Sequence, residues 1–294
     1  MGEELCREFA VARETFAEAD DALQAALGEL CFTGPEETLT LTENAQPALL
    51  ATSIAITRVL ASEGGIVPEV AAGHSLGEWS ALVCMEALSF ADALRAVRAR
   101  GRFMQDAVAP GVGAMAALLG ADLQTVEMLC SEASSDGAVV VPANVNGAGQ
   151  IVVSGHAVAV ERLEALAAGR KVRVMRLRVS APFHSPLMAP ARERMAELLR
   201  DLPVRAPRGV VLANVDGDPY GAAEGVRERL CAQITSTVRW EDCARGVAAR
   251  TDVGIEAGAG KVLTGLMRRI APGFRCLPTD DVAGVRVAIE GARA

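Results

Sequence analysis

Apolar positions at helical spacing mark the first part of the chain. They recur every three or four residues from Glu3 to Leu27, which predicts one amphipathic helix with no strand ahead of it. A second helix is predicted from Thr42 to Ser62, where a Gly-Gly pair stops it. Ser89 is typical of an N-cap and begins a third predicted helix, which continues to about Val108.

The pattern changes after Gly111, where short alternating stretches predict strands and helices in the order βαββαβ. The strands are predicted at Gly113 to Leu119, Ala138 to Ala143, Gln150 to Ser154 and Val172 to Leu177, and the helices at Asp122 to Ala133 and Val158 to Ala168. This order is the ferredoxin-like arrangement. We therefore expect a small subdomain over residues 111–179, inserted into a larger domain made of residues 1–110 and 180–294.

Helices and strands alternate again in the last part of the chain. The helices are predicted at Leu187 to Leu199, Ala222 to Ile234, Trp240 to Ala249, Lys261 to Ile270 and from Asp281 onward, and the strands at Val210 to Ala213, Val253 to Glu256 and Phe274 to Leu277. Such alternation predicts an α/β fold with a mostly parallel sheet covered on both faces.

Composition narrows the class of protein. The chain has 294 residues, 51% of them hydrophobic, and no apolar run reaches the length of a membrane span. Its N-terminus is acidic where a signal peptide would be basic, so we expect a cytoplasmic globular protein without a membrane partner. A net charge of −8 and 3% aromatic residues argue against nucleic acid. The seven scattered cysteines favour free thiols.

The pentapeptide from Gly73 to Gly77 is the main chemical signal. It has the pattern Gly-x-Ser-x-Gly between a predicted strand and a predicted helix, as in a nucleophile elbow. Ser75 would be the nucleophile, and the N–H of Leu76 could stabilise an oxyanion. The alternative is that Ser75 only caps the helix.

The chain has three histidines that could serve Ser75 as a base. His74 adjoins the serine on a sharp turn, so the two side chains diverge. His156 starts a helix of the subdomain, where capping or exposure explains it. His184 lies in a proline-braced loop at the return to the large domain, which can hold a side chain over the elbow.

Two other patterns leave questions open. An α/β-hydrolase places an acid between its serine and its histidine, and no carboxylate between Ser75 and His184 stands out. Gly258 to Lys261 resembles a phosphate-binding turn, but Val262 follows the lysine where a P-loop has Ser or Thr.

Several blocks resemble the malonyl-CoA:acyl carrier protein transacylase family, in order and over nearly the whole chain. The first reads Gly-His-Ser-Leu-Gly-Glu-Trp and the fourth Pro-Phe-His-Ser-Pro-Leu-Met. The blocks are Ala72 to Leu82, Arg100 to Gln105, Gly113 to Ala117, Ala181 to Met188 and Gly258 to Leu263.

The resemblance implies a role for each matching residue. Ser75 would carry the acyl group as an ester, and His184 would act as general base and then acid. A backbone carbonyl around Gln233 would orient the histidine in place of an acid. Arg100 would pair with the free carboxylate of the malonyl group, which suits a planar guanidinium.

The resemblance also implies the lining of the cleft. Phe183 would crowd an α-methyl branch, which predicts malonyl over methylmalonyl. His74 and Gln105 lie in the matching blocks and are predicted to bind substrate. The turn residues Asn144, Asn146 and Gln150 resemble the family's cleft lining, although turn chemistry alone would explain them.

One departure concerns the start of the sequence. The family begins with a strand and a Gly-Gln-Gly-Ser-Gln loop, whose first glutamine supplies a second oxyanion N–H. Here Met1 to Leu5 matches the helix after that loop. We therefore expect the strand to be missing and Leu76 to be the only assigned donor, and we hypothesise that the start codon was placed too late or that the chain was cut.

The resulting prediction is transfer of malonyl from malonyl-CoA to the phosphopantetheine thiol of acyl carrier protein, by a monomer without metal or redox cofactor. The basic residues Arg170, Lys171, Arg173 and Arg176 are one predicted surface for the acidic carrier, and a solvated edge is the alternative. The rival functions are a serine hydrolase or thioesterase and a non-catalytic module that binds acyl-CoA or the carrier.

Overall fold

A computed structural model describes residues 1–135, 137–177, 179 and 181–291. It is a mixed α/β fold. The helices are α1 Glu3–Glu8, α2 Ala10–Leu23, α3 Leu27–Thr33, α4 Glu36–Leu39, α5 Thr42–Gly64, α6 Leu76–Cys84, α7 Phe90–Asp106, α8 Leu123–Ala133, α9 Ala157–Gly169, α10 Ala189–Asp201, α11 Ala223–Gln233, α12 Trp240–Ala248, α13 Val262–Ile270 and α14 Val282–Gly291. The strands are β1 Val70–Ala71, β2 Gly113–Leu119, β3 Val140–Val145, β4 Gln150–His156, β5 Arg173–Arg176, β6 Val210–Val211, β7 Val253–Glu256 and β8 Arg275–Pro278.

The single N-terminal helix predicted from Glu3 to Leu27 is wrong. Phe9 is extended, with φ −119° and ψ 124°, and separates α1 from α2. Gln24 then takes a left-handed conformation that ends α2. The break lets α1 pack on α14 while α2 packs on α5 and α7. Apolar spacing continues across Phe9, which is why periodicity alone does not reveal the break.

Helix α5 is the centre of the main core. It packs on α2, α6, α7 and α14 and buries Leu50, Ile54 and Val59. The predicted Gly-Gly stop is confirmed, since Gly65 ends the helix with φ 65°. The predicted cap of α7 is also confirmed, because Ser89 Oγ accepts a hydrogen bond from Asp92 N at 3.1 Å. Helix α7 packs on α6, the helix that follows the pentapeptide from Gly73 to Gly77.

The βαββαβ order predicted for residues 113–177 is confirmed. Its strands form one antiparallel sheet in the order β3-β4-β2-β5, and α8 and α9 pack against it. The end of β3 differs from the prediction, because the strand continues through Asn144 and Val145, which the sequence places in a turn. A register shift after Pro142 lets Asn144 pair with Val152.

The mostly parallel sheet expected for the rest of the chain is present in part, because the strands are parallel but do not form one continuous sheet. The described strands there form two separate parallel pairs, β1 with β6 and β7 with β8. Both β1 and β7 line a cavity of about 1480 Å³, which lies against the elbow at His74, Leu76 and Gly77. Residues of both pairs line this cavity, which therefore lies between them.

Three further observations bear on the sequence analysis. In the ranges described, no helix combines the length and the apolar character that crossing a bilayer requires. All seven cysteines are free, four of them buried and three half-buried. The predicted domain boundary at Ser180 and the final residues 292–294 lie outside the described residues.

Candidate active site

The pentapeptide forms a tight turn between β1 and α6. Ser75 has φ 51° and ψ −101°, a strained conformation for a residue with a side chain. A Cβ on Gly73 would lie 2.0 Å from the carbonyl group of Gly77, so only glycine fits there. Ser75 occupies the N-cap position of α6, but its hydroxyl makes no capping hydrogen bond. The hydroxyl is therefore free for other partners.

Ser75 and His184 are brought together although 109 positions separate them in the sequence. Ser75 Oγ lies 2.7 Å from His184 Nε2. On the other side of the ring, His184 Nδ1 donates to the backbone carbonyl of Gln233 at 2.8 Å. A carbonyl only accepts hydrogen bonds, so Nδ1 carries the proton and Nε2 is free to accept one from Ser75. The structure thus places a carbonyl where a hydrolase has its acid.

His184 is held as a neutral imidazole. It is 4% exposed, and burial lowers its pKa to about 3, with the nearby Arg100 charge as the second cause. Its loop is braced by Ser185, whose Oγ donates to the carbonyl of Pro182 at 2.7 Å. A neutral, fixed imidazole beside a hydroxyl is the arrangement of a general base and its nucleophile.

Arg100 reaches the same hydroxyl from α7. Its Nη2 donates to Ser75 Oγ at 3.1 Å and to Gln233 Oε1 at 2.8 Å, and its Nη1 donates to Gln46 Oε1 at 2.7 Å. Burial lowers the pKa of Arg100 to about 10, so the group remains a cation at neutral pH. Its Nε is buried and has no hydrogen-bond partner among the residues that the structure describes. A buried cation beside a nucleophile is suited to a substrate that carries a carboxylate.

A polar network that the sequence does not predict lies under the elbow. Asn214 Oδ1 accepts from Ser75 N at 2.7 Å, and its Nδ2 donates to the carbonyl of Gly73 at 2.8 Å. The buried carboxylate of Glu78 accepts from Asn214 N at 3.1 Å and from the hydroxyl of Tyr220. A polar residue directly after a predicted buried strand, as Asn214 follows Ala213, is the signal that could have found part of it.

Other predicted cleft residues lie close to the elbow. His74 Nε2 donates to Asn146 Oδ1 at 2.8 Å, and its ring centroid lies 5.8 Å from that of Trp240. This places the His74 ring away from Ser75 Oγ. Phe183 adjoins His184, and the small cluster that it packs against consists of Met115, Ala117, Ala143 and Val152.

Three predicted residues are not joined to Ser75 by any hydrogen bond that the described residues show. Asn144 is buried within β3. Gln105 is half-buried near the end of α7. Gln150 accepts a hydrogen bond from Arg269 at 2.9 Å. These three residues lie around the site and do not contact Ser75 through hydrogen bonds.

Contacts and exposure describe three further side chains, those of His156, Arg98 and Arg102. The side chain of His156 does not cap α9, because its Nδ1 accepts from Val139 N at 3.0 Å. On α7, Arg98 is half-buried, with its Nη1 donating to the carbonyl of Leu23 at 3.4 Å, whereas Arg102 is exposed.

The N-terminus of α13, which follows the glycine-rich turn, already binds the side chain of Glu256. Glu256 accepts hydrogen bonds from Leu263 N at 2.8 Å and from Thr264 N at 2.7 Å. A helix N-terminus that a carboxylate already fills is not available to a phosphate. Across the described ranges, no group of three or more His, Cys, Asp or Glu side chains is placed to hold a metal ion.

Comparison with known proteins gives consistent matches over nearly the whole chain. The family model described as "Acyl transferase domain" matches residues 1–273. The malonyl CoA-acyl carrier protein transacylase of Bacillus subtilis is 43% identical over 293 residues, which cover 99% of this chain and 92% of that protein. The enzyme of the same name from Escherichia coli is 42% identical over 290 residues, or 98% and 93% of the two chains.

Solved structures show the same similarity. The malonyl CoA-acyl carrier protein transacylase of Coxiella burnetii matches with a TM-score of 0.95 and 38% identity, covering 99% of this chain and 92% of that one. A malonyl-transacylase solved in complex with a type II polyketide synthase acyl carrier protein matches with a TM-score of 0.96 and 39% identity, covering 99% and 94% of the two chains.

Proposed function

This chain belongs to the acyl transferase domain family, and from that membership we propose that it transfers a malonyl group from malonyl-CoA to the phosphopantetheine thiol of acyl carrier protein. The observation that carries the proposal is the convergence of His184 Nε2 and Arg100 Nη2 on Ser75 Oγ, at 2.7 and 3.1 Å. A base and a carboxylate anchor meet at one nucleophile.

The reaction runs in two half-reactions through Ser75. His184 Nε2 takes the hydroxyl proton as Oγ attacks the thioester carbonyl of malonyl-CoA, and the same nitrogen returns the proton to the departing CoA thiol. The malonyl group is then an ester on Ser75. In the second half, His184 deprotonates the phosphopantetheine thiol, the thiolate attacks the ester, and the proton goes back to Ser75 Oγ.

Arg100 accounts for the choice of a malonyl group. A guanidinium forms strong paired hydrogen bonds with a carboxylate, and an acetyl group offers none. The buried position of Arg100 strengthens this preference, because a buried cation without an anion is costly. Phe183 beside the base supports malonyl over methylmalonyl, since its ring would crowd an α-methyl group.

The backbone of α6 is suited to stabilising the oxyanion of each half-reaction. Leu76 is the first residue of α6, and within the described part of the chain its N–H makes no hydrogen bond. The N-terminus of a helix favours negative charge. We assign the Leu76 N–H as an oxyanion donor on this basis.

The finer description of the fold is part of the proposal. The parallel pairs β1-β6 and β7-β8 with their flanking helices fit an α/β-hydrolase-like domain, built from residues 1–110 and 180–294. The strand order β3-β4-β2-β5 fits an inserted ferredoxin-like subdomain over residues 111–179. We propose that the protein acts as a cytoplasmic monomer.

The docking surface for the acidic carrier is proposed at the β5 edge of the small sheet. Two of its four basic residues are engaged, Arg170 with Glu132 and Arg176 with Glu161 and Glu164. Lys171 and Arg173 are exposed and supply the charge that would meet the carrier.

Intact mass after incubation with malonyl-CoA tests the function. We expect a stable malonyl adduct that passes to acyl carrier protein and that is lost in Ser75→Ala. Rapid release of free malonate would instead identify a serine hydrolase. Absence of any adduct on the unaltered chain would leave only a binding module.

A further inference from the structure

Glu78 is a buried acid without a part in the reaction described above. Among the described residues it is the only buried carboxylate, and Arg100 is the only buried guanidinium. The two are not in direct contact. The side chain of Gln233 lies between them, with Nε2 toward Glu78 Oε2 and Oε1 toward Arg100 Nη2.

Each hydrogen-bond partner that the described residues offer Glu78 donates to it. Its Oε1 accepts from Asn214 N and the hydroxyl of Tyr220, and its Oε2 accepts from Gln233 Nε2. Burial raises the pKa of Glu78 to about 7, and these hydrogen bonds and the Arg100 charge act in the opposite direction. Above that pH the carboxylate is ionised and can only accept hydrogen bonds.

Three acceptors face Gln233 Nε2 and together decide which way the amide points: Glu78 Oε2, the carbonyl of Ser75 and, at 3.3 Å, Asn214 Oδ1. Glu78 is the only one of the three that carries a charge. The amide nitrogen must face the carboxylate, where it also donates to the carbonyl of Ser75 at 2.9 Å. The amide oxygen then has to face Arg100, where it accepts from Nη2 at 2.8 Å. The opposite orientation would put an NH₂ group against the guanidinium and an oxygen against both the carboxylate and the Ser75 carbonyl, which costs at least three hydrogen bonds.

We propose that Glu78 is a positioning residue that sets the orientation of the Gln233 amide and, through it, holds Arg100 in place to receive the substrate carboxylate. The carboxylate of Glu78 touches no reacting atom. It acts across one amide, and the malonyl preference depends on it. The substrate part of this inference rests on the proposed function, whereas the orientation of the Gln233 amide does not.

Glu78→Gln is the variant that isolates this role. Its amide oxygen can keep the contacts with Asn214 N and Tyr220, so the elbow remains supported. Its NH₂ group would face Gln233 Nε2, donor against donor, so the Gln233 amide would either shift away from residue 78 or turn over. Either change takes Gln233 Oε1 out of its hydrogen bond with Arg100 Nη2, so Arg100 loses the contact that holds it.

The kinetic test compares the rates at which malonyl-CoA and acetyl-CoA acylate Ser75, measured at pH ~8 so that Glu78 is ionised in the unaltered chain. We expect the malonyl rate of Glu78→Gln to fall about tenfold or more, the equivalent of one or two lost charged hydrogen bonds. The acetyl rate has no carboxylate to lose and should fall far less.

Two further variants separate positioning from folding. Glu256→Gln changes another carboxylate, which accepts hydrogen bonds from two backbone N–H groups of α13. This variant should leave the ratio of the malonyl rate to the acetyl rate unchanged. Tyr220→Phe removes one donor from Glu78 but keeps the carboxylate, so the ratio should stay close to that of the unaltered chain. If each of Glu78→Gln and Tyr220→Phe lowered the malonyl rate and the acetyl rate by the same factor, Glu78 would have only a structural role.

A crystal structure of Glu78→Gln gives a result that does not depend on the reaction. We expect the contact between Arg100 Nη2 and Gln233 Oε1 to be broken. Retention of that contact would overturn the inference, even with altered rates. If the unaltered chain forms no malonyl adduct, the proposed function fails, and the crystal structure still decides the orientation of the Gln233 amide.

Discussion

Arg100 Nη2 donates a hydrogen bond to Ser75 Oγ at 3.1 Å, so the proposed carboxylate anchor touches the proposed nucleophile. Only one methylene separates the carboxylate of a malonyl group from its thioester carbonyl. A carboxylate bound to Arg100 therefore brings that carbonyl next to Oγ. The group that would bind the carboxylate and the group that would attack the carbonyl are therefore in direct contact.

Arg100→Ala should lower malonyl transfer about 10²-fold, because charged hydrogen bonds to the substrate are lost. Acetyl transfer should fall much less, and the rates of both half-reactions measured with each acyl-CoA check this. Arg102→Ala is the matched control, since Arg102 lies on the same helix, is exposed and contacts only Glu43 in its ion pair. Equal losses for both acyl groups would mean that Arg100 is structural.

The reactivity of Ser75 should not fall with the pKa of an ordinary histidine as the pH is lowered. A base with a pKa of about 3 stays neutral from pH 8 to 5, so labelling of Ser75 by a sulfonyl fluoride should remain nearly constant over that range. A histidine at its usual pKa of 6.5 would lose about 30-fold by pH 5.

Arg100→Gln tests whether the Arg100 charge contributes to the low pKa of His184. The Arg100 charge lowers the pKa of His184, so its removal should raise that pKa and move the acid limb of the labelling rate to higher pH. An acid limb at the same pH in both proteins would show that burial alone sets the pKa.

Phe183→Ala should admit branched substrates. The ring adjoins the base, and its removal makes room for an α-methyl group. We expect the ratio of methylmalonyl to malonyl transfer to rise about tenfold, the usual value of one methyl group in a pocket. Phe103→Ala is the control, because that ring packs under Arg194 instead. An unchanged ratio would exclude Phe183 as the selective residue.

The two glycines of the pentapeptide should differ in tolerance. A Cβ on Gly73 would collide with the backbone of Gly77 at 2.0 Å, so Gly73→Ala should reduce the free energy of unfolding by about 2 kcal/mol or more. A Cβ on Gly77 meets no atom within 4 Å and lies in a helix, so Gly77→Ala should be neutral or slightly stabilising. Denaturant melts of both variants check the difference.

The sequence predicts best what short-range chemistry determines. The cap at Ser89, the stop at Gly65 and the βαββαβ order are local patterns, and the structure has them. The break at Phe9 and the division into two parallel pairs depend on packing between distant segments, which periodicity does not report.

The same distinction holds for the site. Ser75, His184 and Arg100 lie in recognisable motifs, and the structure brings all three together. Asn214 contacts Ser75 across 139 positions and lies in no such motif. Glu78 lies three residues after Ser75, but its role is visible only when its partners on other elements are known.

Gln233 serves the site with two chemically different parts, and they differ in how they respond to mutation. Its backbone carbonyl orients His184, and its side chain holds Arg100. Any residue at this position keeps the carbonyl, whereas few keep the amide. Changes at position 233 can therefore alter which acyl group is chosen while the base stays in place, so selectivity in this chain can evolve separately from the chemistry of transfer.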